Sequence, residues 1–163
     1  MLSKTMQDAL NDQIKNEFYS AYLYLAMATY FESLSLPGSA KWMRAQFNEE
    51  QTHALKLLDF VNDRGGRVTL KAIDQPPAEW QTPLAVWENV LAHEQKVTAL
   101  IHKLYAQAVD EKDYATQTFL AWFINEQVEE EKNAMLMVER MKQVGTSPAS
   151  LLLFDGHLTK RDD

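Results

Sequence analysis

The sequence predicts an all-α protein, in which four long helices form a bundle and a short fifth helix follows them. Only five Gly and five Pro occur among 163 residues. Apolar residues recur every three or four positions over four long stretches, which indicates helices. Stretches of about 26 to 33 residues correspond to helices of about 39 to 50 Å, the dimensions of an elongated bundle.

The first two stretches predict a helical hairpin. No Gly or Pro occurs in 2–34, so one uninterrupted helix is expected there. Residues 36–39 (Leu-Pro-Gly-Ser) interrupt the pattern, and Ser39 is predicted to cap a second helix, because a serine oxygen accepts from the free N–H groups of a helix start. This helix is expected to reach Arg64 and to end at Gly65–Gly66.

A long connection follows the second helix. Residues 67–81 include alternating and β-branched positions and then Pro76-Pro77, so they predict extended chain rather than helix. Fifteen extended residues can travel most of the length of the bundle. We therefore expect a crossover that leaves the second and third helices parallel.

The remaining stretches predict three more helices. The third begins at Thr82 or Pro83 and runs to about Val109, and the fourth follows the polar step 110–113 and runs to about Val144. Ser and Pro at 147–148 then resemble an N-cap followed by Pro at the first helical position. A single domain over 1–163 is expected, with the bundle at about 2–144, the fifth helix at about 148–158 and a tail at 159–163.

Composition excludes several classes of protein. The chain has no cysteine, which excludes disulfide scaffolds, thiol catalysis and thiolate-held zinc or iron–sulfur sites. Its formal net charge of −7 argues against nucleic-acid binding. The sequence starts without the basic and apolar segments of a signal peptide, and no uncharged run approaches the ~18 residues of a membrane span. We expect a cytoplasmic protein without a membrane partner.

Each predicted helix has a largely apolar seam that one glutamate interrupts near its middle. These glutamates are Glu17, Glu50, Glu94 and Glu130. Four carboxylates at one level of a dry bundle must either be protonated or surround a cation, because an uncompensated buried charge costs several kcal/mol. His53 shares a helical face with Glu50. Four negative charges and a neutral imidazole balance two divalent metals, and this donor set suits iron or manganese.

The spacing of these residues repeats. The same interval of 33 residues separates Glu17 from Glu50 and Glu94 from Gln127. Glu50-x-x-His53 then corresponds to Gln127-x-x-Glu130. Carboxylate-bridged di-iron bundles use one Glu from each of two helices and Glu-x-x-His from each of the others. The second half of this chain departs from that pattern, with Gln in place of Glu and Glu in place of His.

Five motifs together resemble those of a known family. They are NEFYSAYLYLAMATYF, FNEEQTHALKLLDFVNDRGGRV, PPAEW, AHEQ and FINEQVEEEK. With them the sequence resembles the ferritins, specifically the non-haem ferritins of bacteria and archaea, over nearly its whole length. The resemblance implies a ferritin-like four-helix bundle with the long crossover and the short fifth helix described above.

The resemblance also implies a ligand set. One iron would be held by Glu17, Glu50 and His53, and Glu50 would bridge to a second iron. The second iron would be held by Glu94 and Glu130, with Gln127 hydrogen-bonding beside the pair. Haem is not expected, because Gln51 stands where a bacterioferritin has its haem-ligating Met.

Further positions match residues of bacterial ferritins. A third iron site would use Glu49, Glu126, Glu129 and Glu130, although a run of acids is also typical of a solvated face. Tyr24 matches a tyrosine that can supply an electron during oxidation, although its position alone indicates a core aromatic. Trp122 is a possible further redox neighbour. The other three histidines do not share a helical face with a seam glutamate and are expected to be surface or packing residues: His93, His102 and His157.

The function implied is iron storage with ferroxidase activity. Fe(II) and dioxygen would react at the di-iron centre, and Fe(III) would be stored as a hydrated oxide inside a shell of 24 identical chains. Three alternatives stay open at this stage: a di-iron redox enzyme such as a rubrerythrin-like peroxidase, a DNA-protecting miniferritin and a structural helical bundle. The absence of cysteines and of a basic tail disfavours the first two, and the four seam glutamates disfavour the third.

Overall fold

The computed structural model describes residues 1–160 and contains five helices. Their bounds are α1 Lys4–Ser33, α2 Pro37–Asp63, α3 Pro83–Asp110, α4 Tyr114–Val144 and α5 Pro148–Leu158. The described residues form no strand, so the all-α prediction is confirmed. No helix within this part of the chain is both long and apolar enough to cross a membrane. The end of the predicted tail, 161–163, lies outside the described residues.

The contacts between helices give their directions. Short connections make α1 and α2 antiparallel, and likewise α3 and α4. Along α1, Tyr24 contacts Glu94 while Phe31, further on, packs against Trp87, which is earlier in α3. Helices α1 and α3 are therefore antiparallel, so α2 and α3 are parallel. The crossover produces the predicted arrangement.

Local capping signals define most helix ends. The side chains of Ser3, Thr82, Asp113 and Ser147 each accept a hydrogen bond from a backbone N–H in the first turn of the helix that follows. Gly65 follows the C-cap of α2 with φ of +70°, a conformation that favours glycine. These ends agree with the sequence prediction to within about two residues.

The predicted cap of α2 is wrong. The helix begins at Pro37, two residues before Ser39, and its N-cap position is Leu36, whose side chain cannot cap. The carboxylate of Asp155, from α5, occupies the cap position instead. It accepts hydrogen bonds from the backbone N–H groups of Gly38 (2.9 Å) and Ser39 (2.7 Å). Ser39 is therefore a buried residue of the first turn, and α5 supplies the cap from the other end of the chain.

The start of the crossover is held along the outside of α1. The side chain of Asn11 donates to the carbonyl of Arg67 (3.0 Å) and accepts from the N–H of Thr69 (3.1 Å). Lys71 forms an ion pair with Asp12, the residue that follows Asn11 in α1. These contacts satisfy backbone groups that extended chain would otherwise leave without partners.

The apolar core consists of two clusters at opposite ends of the bundle. The first contains Met27, Trp42, Trp87 and Met137, and α5 packs against it through Phe154. The second includes the following residues from the other ends of the four helices: Leu10, Leu57, Ile101 and Leu120. Because each of the four long helices contributes to both clusters, its middle residues form a separate layer between them. This layer contains the polar residues that the sequence singled out.

Candidate metal centre

All four predicted glutamates are buried in the layer between the two apolar clusters. Glu17, Glu50 and Glu94 are at most 1% exposed, and Glu130 is 5% exposed. Each comes from a different long helix. Their seam positions follow the helical repeat, so the same periodicity that builds the apolar clusters brings the carboxylates together.

Glu17, Glu50 and His53 form the tightest group in this layer. One ligand atom from each lies within 4.8 Å of the others. The Nδ1 atom of His53 is 3.3 Å from Oε2 of Glu50. Oε2 of Glu17 and Oε2 of Glu50 are buried and accept no hydrogen bond from any residue in 1–160. Buried carboxylate oxygens without donors are costly, and a cation among them removes that cost.

Glu94 is held by neighbours on two other helices. The Tyr24 hydroxyl donates to its Oε1 atom. The carboxamide nitrogen of Gln127 lies 3.2 Å from its Oε2 atom and 3.2 Å from its carbonyl oxygen. The same nitrogen also reaches the hydroxyl of Thr98. The structure therefore places Gln127 and Tyr24 beside the carboxylate layer, each in contact with Glu94.

Two glutamines that were not predicted as site residues donate to two of the other carboxylates. Nε2 of Gln13 donates to Oε1 of Glu17 at 2.7 Å. Nε2 of Gln46 donates to Oε2 of Glu130 at 3.0 Å. One signal could have found them, because each precedes a seam glutamate of its own helix by four residues and shares its face.

Burial dominates the electrostatics of the layer. It raises the pKa of Glu94 to about 7, although the hydrogen bonds from Tyr24 and Gln127 act in the opposite direction. Burial and the neighbouring Glu94 carboxylate raise the pKa of Glu130 to about 8. Burial, Glu17 and Glu94 also raise the pKa of Glu50 well above its usual range. Without a cation, the layer therefore retains protons near neutral pH.

A second group lies beside the first and shares His53 with it. Ligand atoms of Glu49, His53 and Glu126 lie within 4.8 Å of one another. Of the residues predicted for a third iron site, Glu49 and Glu126 thus come together, whereas Glu130 contacts Gln46 and Glu129 is exposed outside both groups. Burial raises the pKa of Glu126.

The aromatic and histidine neighbours occupy defined places. The Trp122 ring is 5.4 Å from the His53 ring, edge to face, and is 38% exposed. His93 is buried, and its Nε2 lies 2.7 Å from the Ser20 hydroxyl. Burial lowers the pKa of His93 to about 4. His93 is therefore a neutral packing residue, and the exposed His102 and His157 are surface residues, as expected from the sequence.

The donor set fits divalent iron. Four carboxylates and one imidazole are hard and borderline ligands, which suit iron or manganese better than thiolate-seeking metals. Bare carboxylate oxygens occur in the group that also contains His53. No Lys or Arg side chain forms an ion pair with any of the four glutamates among the described residues. Cations can therefore enter the layer without displacing a resident positive charge.

The chain is similar to known proteins over almost its whole length. The ferritin-like domain family matches residues 7–149. A bacterial non-heme ferritin from Bacteroides fragilis (strain 638R) is 42% identical, over 99% of this chain and 100% of that protein. A bacterial non-heme ferritin from Staphylococcus haemolyticus is 38% identical, over 99% of this chain and 97% of that protein.

Solved structures give the same result. An open-pore ferritin from the hyperthermophilic archaeon Archaeoglobus fulgidus superposes with a TM-score of 0.98 and 50% identity, covering 99% of this chain and 100% of that one. An engineered closed form of the same ferritin has a TM-score of 0.98 and 51% identity, with 99% of each chain covered. These similarities confirm the resemblance that the sequence motifs indicated.

Proposed function

The chain belongs to the ferritin family, and we propose that it stores iron by oxidising Fe(II) with dioxygen at the buried carboxylate layer. The observation that carries this proposal is the group of Glu17, Glu50 and His53, in which two buried carboxylate oxygens have no hydrogen-bond donor among residues 1–160. Such oxygens are ready to accept a cation as substrate. Anionic oxygen ligands also favour Fe(III) over Fe(II), which lowers the barrier to oxidation.

Two Fe(II) ions are the proposed substrates of each turnover. The first ion binds Glu17, Glu50 and His53, and the second binds Glu94 and Glu130, with Glu50 between them. Four carboxylates balance the charge of two divalent ions. Each ion gives one electron to dioxygen, so one oxygen molecule receives two electrons. The protein supplies position and charge rather than acid–base catalysis.

Tyr24 is the proposed source of a further electron for the reduction of dioxygen. Its hydroxyl donates to Glu94, so a carboxylate is in place to accept the proton that a phenol loses when it is oxidised. Burial and Glu94 raise the pKa of Tyr24 well above its usual range, so the phenol stays protonated until that step. Trp122, which packs against His53, is a second proposed redox neighbour.

The oxidised iron is proposed to leave the layer and to be stored as a hydrated ferric oxide. Glu49 and Glu126 lie beside His53, where a third ion on this route can bind. We propose a cytoplasmic homo-oligomeric shell of 24 chains around the mineral. Exposed apolar side chains support association between copies, notably Tyr22 and Ile73 on one side and Leu152 and Leu153 on α5.

Retained iron per chain tests storage. We would load the protein aerobically with excess Fe(II), separate it by gel filtration and measure iron and particle size. Storage predicts far more than the ~2 or 3 ions that the ligands can hold, in a large particle. A ratio that stays at about 2 would instead identify a di-iron redox enzyme, and a chain that binds no Fe(II) would identify a structural bundle.

A variant tests the site itself. Replacement of Glu50 by Ala is expected to abolish the fast phase of Fe(II) oxidation, because the carboxylate between the two ions is lost. The matched control is Glu139→Ala, which removes an exposed carboxylate of α4 outside the layer. Unchanged oxidation in Glu50→Ala would overturn the site assignment.

A further inference from the structure

We propose that Gln46 is a positioning residue for the second metal position, where it acts by fixing one oxygen of Glu130. The inference rests on the proposed function, because it assumes that Glu130 binds one of two ions. It adds a residue that lies outside the ligand set and does not touch the ion. Gln46 would determine the affinity of one metal position and leave the other unchanged.

The contact joins two helices across the carboxylate layer. Gln46 is 2% exposed on α2, and its Nε2 atom donates to Oε2 of Glu130 on α4 at 3.0 Å. Gln46 lies one helical turn before Glu50, on the same face. The donor is therefore rigidly placed, because both its own helix and its partner's helix pack against the core.

The hydrogen bond divides the two oxygens of Glu130 between two tasks. Oε2 accepts from the carboxamide, and Oε1 is the oxygen that we propose binds the ion. A carboxamide is neutral, so it orients the carboxylate without cancelling its negative charge. A lysine in its place would compete with the metal for that charge. Hydrogen-bond donors of this kind orient ligating carboxylates, and their loss costs about 10- to 100-fold in metal affinity.

Gln13 provides a matched comparison within the same chain. It also donates through Nε2, to Oε1 of Glu17 at 2.7 Å, and it is also 2% exposed. The other oxygen of Glu17, Oε2, accepts no hydrogen bond from any described residue. The two carboxamides therefore act on different carboxylates: Gln13 on a member of the group with His53, and Gln46 on a glutamate of the second position.

Calorimetric titration with Co(II) under anaerobic conditions tests the proposal without any turnover. The full chain is titrated as wild type, as Gln46→Leu and as Gln13→Leu, and the binding steps are assigned with Glu130→Ala and Glu17→Ala. In Gln46→Leu, the step that Glu130→Ala removes should weaken about 10- to 100-fold. The other step should stay within about threefold. In Gln13→Leu, the step that Glu17→Ala removes should weaken instead, and the step that Glu130→Ala removes should stay within about threefold.

Further variants separate positioning from a general effect on folding. Gln46→His keeps an N–H donor and should recover part of the lost affinity, whereas Gln46→Asn is too short to reach and should resemble Gln46→Leu. Equal weakening of both binding steps would overturn the proposal. So would an unchanged affinity, in Gln46→Leu and Gln46→Asn, at the step that Glu130→Ala removes. If the wild type itself binds no Co(II) at the glutamates, the proposed function fails first, and this result is distinct from a failure confined to the Gln46 variants.

Discussion

The carboxylate of Asp155 on α5 binds the first turn of α2 at Ser39, accepting from its backbone N–H at 2.7 Å and from its hydroxyl at 2.8 Å. Asp155 is 4% exposed, so this contact is part of the interior. A carboxylate at a helix N-terminus satisfies free N–H groups and interacts favourably with the helix dipole. The fifth helix is therefore fastened to the bundle by a polar contact as well as by apolar packing.

Replacement of Asp155 by Ala is expected to lower the free energy of unfolding by about 2 to 3 kcal/mol, since α2 loses its cap and buried donors lose their acceptor. Urea denaturation of the metal-free protein measures the change. Asp63→Ala is the control, because it removes an exposed carboxylate from the opposite end of the same helix. It should change stability by less than about 0.5 kcal/mol. Equal losses in both variants would contradict the capping role.

Gly38 has no room for a side chain. A Cβ atom there would lie 1.9 Å from the carbonyl oxygen of Asp155. Gly38→Ala should therefore push α5 away from α2 and lower the free energy of unfolding by about 1 to 3 kcal/mol. Gly156→Ala on α5 meets nothing within 4 Å and should raise stability by up to about 1 kcal/mol, because alanine favours helix. Thermal unfolding of the two variants should shift in opposite directions, and a neutral Gly38→Ala would contradict the close approach.

The raised pKa values of Glu94 and Glu130 predict that the metal-free protein loses stability as pH rises. Below about pH 4.5, the usual value, these carboxyls are protonated in both folded and unfolded chains. Between that pH and about 7 to 8 the unfolded chain releases protons that the folded chain retains, so unfolding becomes progressively easier. Glu130→Gln cannot titrate at that position. Its free energy of unfolding, measured by urea denaturation, should therefore depend less steeply on pH. A pH dependence of stability as steep as that of the wild type would contradict the raised pKa of Glu130.

Loss of the Tyr24 hydroxyl should shift metal binding to higher pH. Burial raises the pKa of Glu94, and the hydrogen bond from Tyr24 holds it below the value that burial alone would give. In Tyr24→Phe the proton should compete more strongly with the metal, so the midpoint of Co(II) binding against pH should rise. Tyr30→Phe removes a hydroxyl remote from the layer and is the control. A midpoint that is the same in all three proteins would show that the hydrogen bond has no role in binding.

The four seam glutamates were predictable because their placement depends on the helical repeat alone. Glu17 and Glu50 fall in the middle of otherwise apolar seams, and a regular helix converts that spacing into a common depth. The cap at Ser147 was predictable for a similar reason, since it acts on residues that follow it directly. Short-range signals of this kind account for the number and order of the helices.

The cap of α2 and the role of Gln46 depend on residues that are distant in sequence. Ser39 has the side chain of a good N-cap, but its hydroxyl donates to Asp155, a residue that only the docking of α5 brings near. The position of Gln46 on the face of Glu50 is visible in the sequence, but its partner, Glu130, lies on α4 and is not specified locally. Neither contact is predictable from the sequence, because neither partner is specified locally.

The interrupted core makes the middle of the bundle its weakest cross-section when no cation is present. On either side, apolar packing holds the four helices together, whereas Glu50 and Glu94, at the level between, repel each other once a rising pH ionises them. A cation bound between the carboxylates replaces this repulsion with attraction. Under the proposed function, bound iron therefore stabilises the bundle at the level where it is taken up, between the two apolar clusters.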